Sequence, residues 1–175
     1  MLIDTFRGAM KERGWSGFSG WCKAVYLYLF KAYFWVLCAE HCPSNLTPFF
    51  HRLRGVKVGR GVFIDRSVLL DGIYPELITV GDDARLAPGA MVFCHSKAGK
   101  LLSENYLPDI VKEVKIGESA QIGLGVVILP GVTIGKGAVV AAGSVLFNQE
   151  VPDFCVAAGN PARVVKRLKE LGELA

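Results

Sequence analysis

The chain has 175 residues, a formal net charge of +4 and a mean hydropathy of +0.36, with 51% hydrophobic residues. That length suits one domain with an appendage. Five cysteines, an odd number with no CxxC pair, argue for free thiols in a reducing compartment and against a disulfide framework or a zinc site.

The N-terminal third differs from the rest. Of 18 aromatic residues, 12 lie in residues 1–50, including Trp15, Trp21 and Trp35. Residues 1–60 carry nine Lys/Arg against three Asp/Glu, so the positive charge is an N-terminal property. A basic, aromatic-rich segment suits an anionic membrane surface or an acidic partner; a solvated rim around an oligomer contact fits as well. No basic run or nucleic-acid-binding motif is present, and nucleic acid is not expected as a partner. Trp21–Ala39 is almost continuously apolar and about long enough to span a bilayer. Lys31 near its middle would cost about 2.5–3.5 kcal/mol on insertion scales. Lys23 and Lys31, eight residues apart, share one helical face. The expectation is therefore a helix lying at a membrane surface, or packed on a partner, through residues 15–40. No convincing signal-peptide cleavage site follows. The boundary of this segment falls at residues 1–54, and His41 and His51 within it read as packing or surface residues.

From residue 55 a period of six governs the sequence. Val58, Ile64 and Leu70 form one triplet and Val80, Leu86 and Val92 a second. Ile116, Ile122, Ile128, Ile134, Val140 and Leu146 then follow without a gap. Two residues before each stands a small or β-branched residue, and Gly follows at 117, 123 and 135. A period of six is neither helical nor a simple strand alternation. It describes a triangular solenoid of about four coils, three hexads to a coil, with the aliphatic residue stacked inside and Gly relieving the turn after it.

Two interruptions break the ladder. Leu70 to Val80 spans ten residues instead of six, and Pro75 with Gly72 reads as a short bulged corner. Val92 to Ile116 spans 24 residues, which predicts a loop over 93–113 carrying Lys97, Lys100, Glu104, Asn105, Tyr106 and Asp109. A long insertion in a compact repeat is usually functional. His95 stands at its root and is the one histidine of the repeat region. A histidine there suits general-base work on a poorly acidic group. Cys94 is adjacent, but strand neighbours point to opposite sides, so the two should not face one cleft.

Ile116–Val145 (IGESAQIGLGVVILPGVTIGKGAVVAAGSV) and Val151–Leu168 (VPDFCVAAGNPARVVKRL) resemble the hexapeptide-repeat acyltransferases, and within them the sugar O-acetyltransferases of the galactoside and maltose acetyltransferase type and those of cell-surface polysaccharide biosynthesis. The resemblance covers about two thirds of the chain. It implies an all-β solenoid, a left-handed parallel β-helix over 55–175 that ends in a short helix at 161–172. It also implies a homotrimer that binds acetyl-CoA between neighbouring β-helices and uses His95 as general base toward a sugar or lipid-linked saccharide hydroxyl. The family's donor contacts fall here on Gly123, Leu124, Ala141, Ala142, Gly143, Asn160, Arg163 and Lys166. Asp71, Asn105 and Tyr106 are candidate acceptor partners, though Asp71 could equally cap a turn. Two departures stand out: Gln121 where relatives often carry Trp or Phe, and Phe147-Asn148 where they often carry Thr-Lys. The β-helical carbonic anhydrases hold zinc with three histidines; one is present here, so no metal is expected. N-acetyl transfer to an amino-sugar or small amine, and a non-catalytic trimeric scaffold, stay open beside the O-acetyltransferase reading. The expected location is the cytoplasm, at the inner face of the membrane if the N-terminal helix binds it.

Overall fold

The computed structural model describes residue 7 and residues 10–11, 14–36 and 43–168. Two helices, α1 (Gly17–Val36) and α2 (Thr47–Leu53), precede the repeat. The first coil is β1 (Lys57–Val58), β2 (Phe63–Ile64) and β3 (Leu69–Leu70), and the second is β4 (Ile78–Val80), β5 (Arg85–Leu86) and β6 (Met91–Val92). An excursion follows, made of β7 (His95–Ser96), α3 (Lys100–Asn105) and β8 (Ile110–Val111). The third coil is β9 (Val114–Ile116), β10 (Gln121–Ile122) and β11 (Val127–Ile128), and the fourth is β12 (Thr133–Ile134), β13 (Val139–Val140) and β14 (Val145–Leu146). The chain then adds β15 (Glu150–Val151), β16 (Cys155–Gly159) and β17 (Ala162–Arg167).

Every third strand joins the same sheet. The first sheet runs β1-β4-β9-β12-β15, the second β2-β5-β10-β13-β16-β17 and the third β3-β6-β11-β14, giving a three-sided parallel β-helix. Registers stack the inward residues in columns, such as Leu70 on Val92, Ile128 on Val92 and Ile128 on Leu146. In each two-residue strand of the coils the first side chain points out and the second in. The inward aliphatics from Ile64 to Leu146 are all buried, and so are the residues two places before them. Burying one such side chain contributes about 1.5–3 kcal/mol, so the column of aliphatics supplies most of the cohesion of a solenoid with very short strands.

The glycine after the inward aliphatic is required for a reason other than turn strain. Gly117, Gly123 and Gly135 do not have a positive φ. A Cβ on Gly123 would lie 2.6 Å from the Ala142 nitrogen of the next coil, and one on Gly117 would lie 2.7 Å from the Gly135 carbonyl carbon. Close coil stacking, not left-handed backbone, selects glycine there.

Two features extend or correct the expected fold. The β-helix continues past four coils into β15 and β16, where Val151 and Ala157 take inward positions. Residues 162–167 form a strand, not part of a helix over 161–172. β17 pairs antiparallel with β16, closing the otherwise open edge of the second sheet, and its Val164-Val165 pair favours that extended state. Residues 169–175 lie outside the described ones.

At the other end α2 packs against β1 and β2, and α1 packs against α2. Phe18, Trp21 and Tyr26 of α1 are exposed. Among the described residues no helix is long and apolar enough to cross a membrane. The Lys31 side chain and residues 37–40, part of the expected surface segment, lie outside the described ones.

Candidate active site

Both interruptions leave the solenoid at the same corner. The first lies between β3 and β4 and the second between β6 and β9, each joining the third sheet to the first sheet of the next coil. Because β3 pairs with β6, with Leu70 opposite Val92, the residues that follow these strands are neighbours one coil apart. Asp71 and His95, 24 positions apart in sequence, meet there.

The first break is built around Asp71. Its Oδ1 accepts the backbone N–H groups of Ile73 (2.8 Å) and Tyr74 (3.1 Å), which turns the chain into the 3-10 turn Pro75–Leu77. Its Oδ2 accepts the N–H of Cys94 (2.9 Å) and lies 2.6 Å from His95 Nδ1. The Asp71 side chain is fully buried and the His95 side chain is 19% exposed. Burial pushes the Asp71 carboxyl up, but the hydrogen bonds from His95, Tyr74, Cys94 and Ile73 outweigh it and hold the group below its ordinary value. Asp71 is therefore ionised at neutral pH. An ionised carboxylate can only accept, so in the neutral ring Nδ1 carries the proton and Nε2 the lone pair.

This corrects one expectation and sharpens another. Asp71 does not present its carboxylate to an acceptor hydroxyl: it is buried, capping a turn and orienting His95. Cys94 is also buried, and burial followed by the Asp71 charge pushes its thiol up to about 12. It is a core residue facing away from the partly exposed His95, with no thiolate to offer at neutral pH.

The long interruption is ordered. β7 and β8 pair antiparallel, with His95 opposite Val111, and α3 lies between them. Strand pairing thus fixes the backbone of His95 on one side while Asp71 fixes its ring on the other. Tyr74 and Phe93 stand edge-on to the imidazole, with centroids at 5.4 and 6.5 Å. Asn105 ends α3 and Tyr106 follows it, both exposed on the part of the excursion beyond the β7–β8 pair. Lys112, just after β8, donates its backbone N–H to the Cys94 carbonyl (2.9 Å) and its Nζ to Asn148 Oδ1 (2.8 Å), tying the excursion to the fourth coil. Sequence reasoning missed this tie and the Asp71–His95 bond.

The residues matched to donor contacts line a different edge. Gly123 and Leu124 follow β10, Ala141–Gly143 follow β13, and Asn160 follows β16, all at the corner between the second and third sheets. The Gly143 N–H donates to the Leu124 carbonyl (2.8 Å), joining two of these levels. Arg163 and Lys166 lie on β17, exposed. Within one chain, the third sheet separates this column from His95. Among the described residues no group of His, Cys, Asp and Glu side chains could hold a metal ion.

Comparison with known proteins gives a consistent picture. Residues 113–148 match the family of bacterial transferase hexapeptide repeats (six repeats). The chain is 35% identical over 118 residues to a Bacillus subtilis (strain 168) protein named "Putative acetyltransferase YvoF", covering 67% of this chain and 64% of that one. It is 43% identical over 77 residues to a Staphylococcus aureus (strain JH9) 2,3,4,5-tetrahydropyridine-2,6-dicarboxylate N-acetyltransferase, covering 44% and 32%. The chain thus spans less than two thirds of the length of these relatives. Among solved structures it is similar to the hexapeptide-repeat acetyltransferase VCA0836 of Vibrio cholerae O1 biovar eltor, complexed with acetyl coenzyme A. The TM-score is 0.70, with 25% identity over 89% of this chain and 93% of that one. It is also similar to a maltose O-acetyltransferase from Clostridium difficile 630, with a TM-score of 0.60 and 26% identity over 83% and 86%. The three parallel sheets and these neighbours make the fold a left-handed parallel β-helix.

Proposed function

On the premise that this is a hexapeptide-repeat protein folded as hexapeptide-repeat acetyltransferases are, we propose that it transfers an acetyl group from acetyl-CoA to a sugar hydroxyl, with His95 as general base. The observation that carries this reading is the 2.6 Å contact between the buried Asp71 carboxylate and His95 Nδ1 at the root of the excursion. It leaves a basic Nε2 on a partly exposed ring. In the proposed step, Nε2 takes the hydroxyl proton as the oxygen attacks the thioester carbon. The tetrahedral oxyanion collapses, the C–S bond breaks, and the proton on Nε2 passes to the departing thiolate, giving an acetyl ester and CoA. Asp71 stays ionised and stabilises the imidazolium that forms between these transfers. A neighbour complexed with acetyl coenzyme A and another that is a maltose O-acetyltransferase support the donor and the hydroxyl acceptor.

The separation of the two edges supports a proposed assembly. The outward residues of the third sheet, Leu69, Met91, Val127 and Val145, form an apolar stripe between them. A second copy seated on that stripe brings its donor column toward the His95 edge, and three copies close the ring. A homotrimer with the site between subunits is the proposed state. A cell-surface polysaccharide precursor, lipid-linked, is the proposed acceptor. The basic, aromatic N-terminal segment, with Phe18, Trp21 and Tyr26 exposed, then holds the enzyme at the inner face of the membrane. Co-sedimentation with anionic but not zwitterionic vesicles is the expected result, and no binding to either contradicts that part.

A second reading, N-acetylation, is favoured by the 43% identity to an N-acetyltransferase over 77 residues. CoA release measured with matched sugar-hydroxyl and amine acceptors separates the two. In the same assay His95→Ala is expected to lower the rate by roughly 1,000-fold, within the usual range for a general base. An unchanged rate removes the catalytic reading of His95, and no acetyl-CoA-dependent release by the parent leaves a scaffold.

A further inference from the structure

Neighbouring coils exchange backbone hydrogen bonds. Gly59, Phe63, Leu69 and Asp71 of the first coil donate their N–H groups to the carbonyls of Val80, Ala84, Ala90 and Val92 in the second. The first-coil carbonyls in register with those of Val80 and Val92, on Val58 and Leu70, therefore face the N-terminal end, where no coil lies beneath. Unpaired backbone acceptors are costly once buried, so something must meet them. Two arginines at the end of α2 do. Arg52 donates from Nε to the Val58 carbonyl (2.9 Å) and from Nη2 to the Gly59 carbonyl, and it is exposed. Arg54, the C-cap residue of α2, donates from Nη2 to the carbonyls of Leu70 (2.5 Å) and Asp71, and it is only 2% exposed.

Arg54 caps the residue that holds the histidine. The Asp71 peptide is gripped on both sides, its N–H by the Val92 carbonyl above (2.8 Å) and its carbonyl by Arg54 below. Among the described residues, Arg54 and Asp71 are the buried side chains of opposite charge, and they lie at one corner of the first coil. We propose that Arg54 is a positioning residue for the reaction: by pinning the Leu70 and Asp71 carbonyls it sets the direction of the Asp71 carboxylate, and through it the tautomer and orientation of His95. The end of α2 in this way supports the site through Arg54, beyond any role of the N-terminal segment at a membrane. A small displacement of a supporting group is enough to matter, since a 1 Å misplacement far from the chemistry can cost about 100-fold in rate.

This inference rests on the reading of His95 as base, so its test needs one readout that does not depend on turnover. The 15N shifts of the His95 imidazole report which nitrogen carries the proton. Full-length protein carrying Arg54→Met, Arg54→Lys or Arg52→Met is compared with the parent for kcat, KM for acetyl-CoA and these shifts. Arg52 serves as the control, because it caps the same coil away from Asp71. The expected result is that Arg54→Met lowers kcat by about 100-fold with little change in KM, and mixes the His95 tautomers. Arg54→Lys recovers part of both, and Arg52→Met changes neither. If Arg54→Met does not fold, Arg54→Lys carries the test through the same two readouts. Parent-like kcat and tautomer in the folded Arg54 variants overturn the proposal. A tautomer that shifts while His95→Ala retains the parent rate leaves Arg54 as a positioning residue and removes the functional reading instead.

Discussion

The edge between the third and first sheets and the edge between the second and third are made from the same hexads, yet only the first is interrupted. The regular edge repeats one close-packed corner through three levels, with Gly123-Leu124 beneath Ala141–Gly143 and Asn160 above. Its backbone is shaped by stacking alone. The interrupted edge departs twice on adjacent coils, after β3 and after β6. A plain solenoid has a smooth wall. Breaking it twice at one corner places a buried carboxylate behind a partly exposed imidazole, which stacking alone does not do. In the proposed function the regular edge lies against acetyl-CoA and the broken edge does the chemistry.

Substitutions that behave differently on the two edges probe this contrast. Gly123→Ala, on the regular edge, puts a Cβ 2.6 Å from the Ala142 nitrogen and 2.8 Å from the Val140 carbonyl oxygen, both backbone. Overpacking of this kind costs about 3 kcal/mol, read as a fall in melting temperature of several degrees. Gly72→Ala, on the broken edge, meets nothing within 4 Å and does not have a positive φ, so its melt should match the parent. Equal melting of the two variants would erase the distinction.

A smaller effect comes from beneath the broken edge. His51 is buried, neither ring nitrogen has a hydrogen-bond partner among the described residues, and burial with the nearby Arg54 charge lowers its pKa from 6.5 to about 3. Below pH 6.5 the unfolded chain takes up a proton that the native protein refuses, so stability falls as pH drops toward 3. The loss at pH 5 is about 2 kcal/mol. Asp71 adds nothing between pH 6.5 and 5, because its depressed value places its loss below 3.8. His51→Leu should hold its melting temperature at pH 7.5 and flatten the decline toward pH 5. Parallel declines in the two proteins would show that His51 is not kept neutral.

The smallest expected effect returns to the regular edge. Replacing Arg163 and Lys166 by Ala should raise KM for acetyl-CoA about tenfold, the scale of one charge-assisted hydrogen bond, while leaving kcat unchanged. A fall in kcat with KM constant would move these side chains from donor binding to chemistry.

Much of this was legible in the sequence, and the omissions have physical causes. The period of six identified the inward column residue by residue, and the register bears it out from Ile64 to Leu146. The fifth level escaped because Leu146 to Val151 is five residues rather than six, although Val151 to Ala157 is six again. The final strand read as a helix because its Arg/Lys content hid the Val164-Val165 pair and because an antiparallel partner is a tertiary fact. The Asp71–His95 contact was closer to hand. The breaks follow the third and sixth hexads, and counting hexads in threes sends both to one corner. What no period encodes is Arg54, whose proposed role follows from the Leu70 and Asp71 carbonyls left without a coil beneath them.

The central claim is that Asp71 acts through His95, and a double-mutant cycle tests it most directly. Rates of acetyl-CoA-dependent CoA release are compared for the parent, Asp71→Asn, His95→Ala and the double variant, each confirmed as folded. If Asp71 works only by holding the imidazole, Asp71→Asn lowers the rate by about 100-fold and the double variant is no slower than His95→Ala alone. Fully additive losses would contradict the account, because they would mean that the carboxylate contributes without the histidine.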